Sequence, residues 1–416
     1  MEKINFSNSN EAPVAATSNA TSSSQSVLKD LQAGQSKATA AKPEIIYGLY
    51  DASRHSLFTR LNDFFVDHSH VPLQEKAYFF QLLAVIVDAG IPTMQGLKML
   101  AGRTKSERLR RILNTIAYNV SQGKTLSESM ARFPNVFGEL EVGVVKAGEA
   151  AGNLDKMLLR LSEQLSKTNE LQIKLVTASI YPIAVLGVLV LASTAMLIWV
   201  IPTLVNLLQE GGLKEADFPF ATKLLITISA IFAGYWWAVL FGLIIAVLLF
   251  RIIVTTESGR YKWDYFKLKL PILGPLFRNM LVLRFVSMLG ILVEAGLPLV
   301  QILNIVATSL SSELYRLKVF EVISRVQQGE KISSSLMDTP FLFPETVVQM
   351  LAVGEQSASI GLISGKIAKQ YDLEIDNSLK RLTSLFEPIM IVFVGLTVAI
   401  LALAILTPIF RLSQLV

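Results

Sequence analysis

Residues 88–92 read Asp-Ala-Gly-Ile-Pro and residues 294–298 read Glu-Ala-Gly-Leu-Pro, so one short element occurs twice at an offset of 206 residues. The offset holds without a gap from about residue 78 to residue 208 of the first copy, and it carries glycines, prolines and aromatic residues into the second. A repeat of this length is a duplicated domain and not a short solenoid unit. The chain is therefore built from two homologous halves.

The composition is that of a membrane protein with soluble parts. Hydrophobic residues make up 52% of the 416 residues, charged residues make up 17%, and the mean hydropathy is +0.48, which is too apolar for an ordinary soluble protein. The net charge of +5 fits cytoplasmic flanks that collect Lys and Arg. No basic stretch has the interleaved aromatic residues of a nucleic-acid site, so we predict no nucleic-acid partner. The lack of cysteine excludes disulfides, thiolate metal sites and a cysteine nucleophile.

Within each copy the apolar residues recur at helical spacing. Phe79, Leu83 and Ile86 share one helix face. Glycines end the predicted helices, and Thr125 with Glu128 forms the pattern of a capping box at the start of the next one. Each copy is therefore predicted to be a compact helical bundle.

Three segments are apolar enough to cross a bilayer, and the repeat relates the first to the third. Pro182 and Pro202 are 20 positions apart, as are Pro388 and Pro408, and a helix of that length spans about 30 Å, the thickness of a hydrocarbon core. These prolines are therefore predicted to mark the membrane interfaces. Residues 231–250 form the other apolar segment and have no counterpart in the repeat.

The charged flanks set the predicted orientation. Lys and Arg precede the first and third segments and follow the second, whereas the connection at 209–220 carries three acidic residues and one Lys. Because positive flanks stay in the cytoplasm, both bundles and the N-terminus are predicted to be cytoplasmic and the C-terminus outside. Each copy crosses once from inside to outside, so the segment at 231–250 must return the chain.

The predicted fold is thus an all-α membrane protein with two homologous cytoplasmic helical bundles and three transmembrane helices. The predicted segments are a disordered tail (1–42), a lead-in (43–71), the first bundle (72–171), the first span (177–202), an outer loop with a helical extension (203–230), the second span (231–250), a basic connector (251–282), the second bundle (283–379) and the third span (387–408).

The motifs that resemble chemical sites are weak. Gly123-Lys124-Thr125 resembles the end of a phosphate-binding loop, but the glycine required five positions earlier is Tyr118, so we favour a helix cap. His68 and His70 have poor zinc-ligand spacing. We predict no catalytic, cofactor-binding or metal-binding residues.

Glu149 and Glu355 are the candidate partner contacts, because both copies keep an acid at a predicted helix turn. Two interpretations remain open: a capping carboxylate just before the start of the helix that follows, or a surface acid that meets a basic partner. The other repeated positions are predicted to be structural, and they are Gly90, Pro92, Gly148, Pro182, Gly296, Pro298, Gly354 and Pro388.

Together these elements resemble the inner-membrane platform proteins of type II secretion systems and type IV pili. The similarity covers roughly residues 72–410 and includes Ala-Gly-Ile-Pro, Gly-Lys-Thr-Leu, Lys-Ala-Gly-Glu-Ala-Ala-Gly-Asn-Leu and the Tyr-Pro that opens the first span. Ala358 stands where the first copy has Gly152, which leaves open whether both turns share one geometry.

The resemblance implies a non-enzymatic adaptor without cofactors in the bacterial inner membrane. Its implied partners are a hexameric cytoplasmic assembly ATPase, pilins or pseudopilins, other inner-membrane assembly components, membrane lipid and further copies of the chain. Pilus assembly, secretion and DNA uptake all remain open. The alternative function is a duplicated transporter or channel subunit, which requires a polar pathway through the spans.

Overall fold

The computed structural model describes residues 69–210 and 234–413, together with residues 66, 223, 226–227 and 229–231. All regular secondary structure of these described residues is helical, which confirms the predicted class. The predicted disordered tail, most of the lead-in and most of the outer loop lie outside the described residues.

The first copy folds into a bundle whose last helix leaves it as a long rod. After that rod, a five-residue π-helical turn at Met196–Val200 leads into one further helix. The helices are α1 (Leu73–Asp88), α2 (Thr93–Arg103), α3 (Glu107–Ser121), α4 (Leu126–Met130), α5 (Glu139–Ala151), α6 (Leu154–Ala195) and α7 (Ile201–Glu210).

The second copy repeats this plan after two connecting helices, α8 (Trp236–Thr255) and α9 (Glu257–Lys269). Helices α11 to α15 each begin 206 residues after their counterparts α2 to α6. The helices of this copy are α10 (Leu273–Glu294), α11 (Leu299–Ser309), α12 (Glu313–Gln327), α13 (Ile332–Leu336), α14 (Glu345–Gln356) and α15 (Ile360–Ser413).

Each bundle closes around equivalent aromatic side chains. Phe79 and Phe137 are both buried, with ring centroids 6.2 Å apart. Their counterparts Phe285 and Phe343 lie 5.0 Å apart, and Tyr315 packs edge-on against Phe343 at 5.1 Å. Aromatic pairs at these separations favour tilted and edge-to-face contacts. The two bundles therefore share the centre of their cores as well as their helix order.

Helices α6 and α15 belong to a bundle at one end and are exposed along the rest. In α6 the buried residues from Met157 to Leu165 face the bundle, whereas most side chains beyond Ile173 are exposed. Pro182 lies inside α6 and Pro388 inside α15, and neither interrupts its helix. The predicted bundle ends at 171 and 379 therefore fall within continuous helices. That these prolines mark the membrane interfaces stays a prediction.

By length and composition, three helical stretches of the described residues could cross a membrane: Leu154–Thr203, Leu273–Glu294 and Ile360–Ile400. The first contains the predicted first span and the third overlaps the predicted third span, and only 0% and 6% of their apolar windows are buried within the protein. The second is α10, which was predicted to belong to a bundle and whose window is 44% buried.

Either α8 or α10 could be the remaining membrane span, and the burial of their side chains distinguishes the two. The apolar residues of α10 include Phe285 and Leu289, which are fully buried in the second bundle. Helix α8 overlaps the predicted second span, and nearly all of its described side chains are exposed. Because exposed apolar helices require an apolar solvent, we keep α8 as the predicted span and assign α10 to the bundle.

The predicted connector is folded onto the second bundle. Helices α8 and α9 meet at Thr256, whose hydroxyl oxygen accepts a hydrogen bond from the Gly259 amide at 3.3 Å. Leu268 of α9 is buried, and the Asp264 carboxylate accepts from the amide of Glu313 at 2.8 Å. Helix α10 then begins before the predicted domain start at 283.

One buried ion pair distinguishes the two cores. The Lys76 ammonium group donates to a Glu141 carboxylate oxygen at 3.0 Å and to the Val136 carbonyl at 2.8 Å, and both charged side chains are largely buried. The counterparts of the pair in the second copy are Val282 and Val347, which are buried as well. The same fold therefore holds either an ion pair or two valines at this place.

We expect the double substitution Lys76→Val with Glu141→Val to be neutral or stabilising, because a buried ion pair is often replaceable by apolar residues. Each single substitution should cost about 3–5 kcal/mol, because it leaves one buried charge without its partner. Thermal unfolding of the purified protein, followed by circular dichroism, measures the difference. A double variant as unstable as the sum of the two singles would contradict this expectation.

Candidate partner-contact site

Glu149 and Glu355, the two predicted contact residues, occupy equivalent turns at the ends of α5 and α14. The Glu149 carboxylate accepts hydrogen bonds from the amides of Leu126 at 2.6 Å and Ser127 at 3.1 Å. Both glutamates are half-buried. Glu149 therefore holds the start of α4, the short helix that lies against α5.

Glu355 makes the same contacts in the second copy. It accepts from the amides of Ile332 at 2.6 Å and Ser333 at 3.2 Å, and the Ser333 hydroxyl donates to it as well. The first amides of a helix lack partners within the helix, and its N-terminus favours a negative charge. The duplicated acid therefore satisfies a duplicated folding requirement.

Glu149 does cap a helix start, but the helix is not the one that was predicted. The position of Glu149 just before α6 indicated that it caps the helix that follows, whereas its carboxylate reaches α4, which precedes it in the chain. The chain turns back after α4, so α5 runs alongside the start of that short helix. Sequence spacing does not show such a contact.

The predicted capping box is confirmed at the same helix start. The Thr125 hydroxyl accepts from the Glu128 amide at 3.1 Å, and the Glu128 carboxylate accepts from the Thr125 amide at 3.4 Å. Gly123 adopts a φ of 87° in the turn before it. The Gly-Lys-Thr segment is therefore a helix cap, as predicted. In the second copy Lys331 replaces Thr125 and contributes no side-chain cap.

Gly148 and Gly354 allow α5 and α14 to approach the helices that follow them. A Cβ atom on Gly148 would lie 3.0 Å from the Met157 Cβ and 3.1 Å from the Leu154 Cα. A Cβ atom on Gly354 would lie 3.2 Å from the Ile363 Cβ. These distances are shorter than ordinary van der Waals contact, so a larger residue would push the helices apart.

The turns after these helices share one backbone geometry despite their different residues. Gly152 has a φ of 69° and Ala358 a φ of 50°, both in the left-handed region. The amide of the next residue returns to the Gly148 carbonyl at 3.0 Å and to the Gly354 carbonyl at 2.8 Å. The substitution by Ala358 therefore preserves the turn, at the steric cost that a non-glycine residue carries there.

The Gly-x-Pro turns join consecutive helices in both copies. Gly90 and Gly296 have φ values of 73° and 76°. Pro92 and Pro298 directly precede α2 and α11, where the missing amide proton costs no helical hydrogen bond. Among the described residues, no group of three or more His, Asp or Glu side chains is placed to hold a metal ion.

The contact between the two bundles is the surface that the sequence analysis missed. The Lys174 ammonium group donates to the Asp376 carboxylate at 2.7 Å, which joins α6 to α15. This hydrogen bond raises the pKa of Lys174. From the sequence Lys174 was assigned only to the positive flank of the first span. The sequence carried one signal of this contact. The second copy keeps a cation, Lys380, at the position of Lys174, and the first copy keeps an acid, Glu170, at the position of Asp376.

Both halves of the chain match one family model. Residues 79–202 and residues 285–408 each match the family described as "Type II secretion system (T2SS), protein F". The two matched stretches are offset by the same 206 residues as the helices.

Proteins of two related systems are similar over most of the chain. The type IV pilus assembly protein PilC of Thermus thermophilus is 32% identical over 343 residues, which cover 82% of this chain and 83% of the relative. PilC of Myxococcus xanthus is 30% identical over 335 residues, covering 80% and 79%. The type II secretion system protein F of Pseudomonas aeruginosa is 32% identical over 336 residues, covering 80% and 82%.

The matches and the exposed apolar helices agree with each other. Relatives from the pilus and the secretion systems resemble this chain to a similar degree, and the long apolar helices fit a protein of the inner membrane. The chain belongs to the type II secretion system protein F family of platform proteins, with the family domain present twice.

Proposed function

We propose that this chain is a non-enzymatic inner-membrane platform that couples a cytoplasmic assembly ATPase to the polymerisation of pilins or pseudopilins. The observation that carries the proposal is the continuity of α6 and α15, each of which runs from a bundle into an apolar stretch without a loop. The names of the relatives, which are pilus assembly and secretion proteins, support the same role.

Such a helix is a mechanical connection. α6 has 42 residues and α15 has 54, which correspond to lengths of about 60 and 80 Å. A loop between bundle and span would absorb a displacement of the bundle, whereas an unbroken helix transmits it. A motor that moves either bundle would therefore tilt or shift the attached span, next to subunits that leave the membrane.

The proposed topology has three spans, with the N-terminus in the cytoplasm and the C-terminus outside. In it α6 and α15 both leave the cytoplasm, and α8 returns the chain between them. The basic residues of α9, among them Arg260, Lys262 and Lys267, then lie on the cytoplasmic side. The proposed assembly also includes the hexameric cytoplasmic ATPase, other inner-membrane assembly components, membrane lipid and further copies of this chain.

The purified full-length protein in lipid nanodiscs should not hydrolyse ATP by itself, and it should co-purify with the assembly ATPase of its own cell. Hydrolysis is measured by phosphate release and binding by affinity capture of the tagged platform. Empty nanodiscs with the same ATPase are the control. Robust ATP hydrolysis by the platform alone, or no capture above the control, would contradict the proposed coupling.

A reporter inserted directly after Lys269 should be cytoplasmic, because the proposed second span is α8. If α10 crossed the membrane instead, this reporter would lie outside. Alkaline phosphatase, which is active only outside the cytoplasm, distinguishes the two positions. A second fusion after Val416 should be active in either case and shows that the fusion protein inserts.

We propose that Glu149 and Glu355 also contact a basic surface of the motor, since each carboxylate stays half-exposed after accepting two amides. Glu149→Gln should lower stability by about 0.5–2 kcal/mol, the usual value of a helix cap, and should also weaken capture of the ATPase. Thermal unfolding and affinity capture provide the two measurements.

Thr125→Ala is the matched control for Glu149→Gln. It removes another cap from the same helix start and leaves the Glu149 carboxylate in place. If both variants lose stability and capture to the same extent, the acid acts only through the fold. A selective loss of capture with Glu149→Gln supports a direct contact.

A further inference from the structure

The two bundles of one chain meet through an apolar strip on α6. Leu171 and Leu175 pack against Leu276, Ile375 and Leu379 of the second bundle. The three residues of the second bundle are buried. Together with the Lys174–Asp376 ion pair of 2.7 Å, this burial makes the contact a specific surface.

The contact continues at the side of the bundles. The Thr308 hydroxyl of α11 donates to the Glu139 carboxylate of α5 at 2.6 Å. A Cβ atom on Gly143 would lie 2.8 Å from the Ile305 Cδ1, so these two helices are also close together. Arg160 and Glu294 form a second ion pair across the contact at 3.5 Å.

The two copies use opposite faces in this contact. Ile375 and Leu379 of α15 correspond to Asn169 and Ile173 of α6. Each of these lies two positions before a contacting leucine of α6, and two positions rotate a helix by about 200°. The contact is therefore head-to-tail: one side of the first copy meets the other side of the second.

A head-to-tail contact leaves two faces of the chain unused. The first copy has the positions that correspond to the receiving face, and the second copy has the positions that correspond to the inserting face. The unused receiving face of the first copy borders a cleft of about 820 Å³, lined in part by Gln74, Tyr78, Arg103, Asn169 and Glu170. In the second copy the matching positions include Ile375, which α6 covers.

The first ion pair of the contact has a charge-matched equivalent on the unused faces. Lys174 corresponds to Lys380, and Asp376 corresponds to Glu170. Lys380 and Glu170 are both exposed, and neither makes an ion pair within 4 Å of another described residue. Glu170 lies one helix turn before Lys174, and its charge helps to raise the pKa of Lys174, but no ion pair within the described chain requires either Glu170 or Lys380.

The second ion pair is repeated in the same way. Arg160 corresponds to Lys366, and Glu294 corresponds to Asp88. Lys366 and Asp88 are exposed and form no ion pair within the described part of the chain. Two independent pairs therefore keep both the sign and the position of their charges.

Exposed apolar side chains lie on the same unused face. Ile173 is 55% exposed, whereas its counterpart Leu379 is 8% exposed. Met99 of α2 is 48% exposed, whereas its counterpart Ile305 is 8% exposed. The contact within the chain covers Leu379 and Ile305, so an equivalent contact would cover Ile173 and Met99.

We infer that the second bundle of one molecule docks on the first bundle of another, with Lys380 against Glu170 and Lys366 against Asp88. The occupant is a second copy of this chain. Asn377 and Arg381 replace Leu171 and Leu175 on the inserting side, and Asn169 replaces Ile375 on the receiving side, so both sides are more polar than within the chain. The interface specifies the homo-oligomer of the proposed function and does not depend on binding of the motor.

Single cysteines test the interface without background, because the chain has none of its own. Differently tagged Glu170→Cys and Lys380→Cys chains are co-expressed, and their membranes are treated with a short bismaleimide. We expect a mixed dimer on a denaturing gel. The control pair is Lys124→Cys with Lys331→Cys, which are exposed at turns away from the contact. A mixed dimer at or below the control level, or a preference for Glu170→Cys homodimers, would overturn the inference.

A charge exchange provides the second measurement. In the uncrosslinked full-length protein, Glu170→Lys should weaken self-association about two- to fivefold, which is the effect of losing one exposed ion pair. Adding Lys380→Glu to the same chain should restore it. The oligomeric state in nanodiscs or detergent gives the readout, and motor capture is measured separately. Equal weakening by the single and the double variant would overturn the inference, whatever the motor assay shows.

Discussion

The structure depends on one constraint, which is that the last helix of each copy lies in two solvents. Its first turns bury one face in a bundle, and most side chains of its later turns are exposed and apolar. In a bilayer every backbone polar group needs a partner within the protein, so a continuous helix is the simplest chain path between the two regions. Pro182 and Pro388 lie within these helices without ending them. The requirement for an unbroken path is therefore met despite the backbone donors that are missing at Pro182, Pro388 and Pro408.

This constraint explains the part of the chain that is not duplicated. In the proposed topology, two bundles on the same side of the membrane, each followed by an outgoing helix, need a returning helix between them. Helix α8 has the exposed apolar surface for that role, and α9 folds back onto the second bundle through Asp264 and Leu268. The duplicated and the unique segments thus solve different problems, namely how to fold a bundle and how to place it.

The sequence allowed the prediction of features that are local or that repeat. The turns at Gly90 and Gly123 and the capping box at Thr125 depend on residues within a few positions of each other. The prediction of which helix start Glu149 caps was wrong, because that contact depends on how α5 packs on α4. Composition alone also does not distinguish α10 from a membrane helix, because a core helix and a membrane helix are equally apolar. Only burial within the bundle separates them.

The comparison of the two copies shows which contacts the fold requires and which it tolerates in several forms. The acid at Glu149 and Glu355 is kept because each copy has the same short helix with unpaired amides. The pair Lys76–Glu141 is not kept, since Val282 and Val347 fill the same space. Charges kept at exposed positions, such as Glu170 and Lys380, form no ion pair within the described chain. Since the equivalent charges bind one bundle to the other, the retained signs are most simply explained by the same contact between molecules.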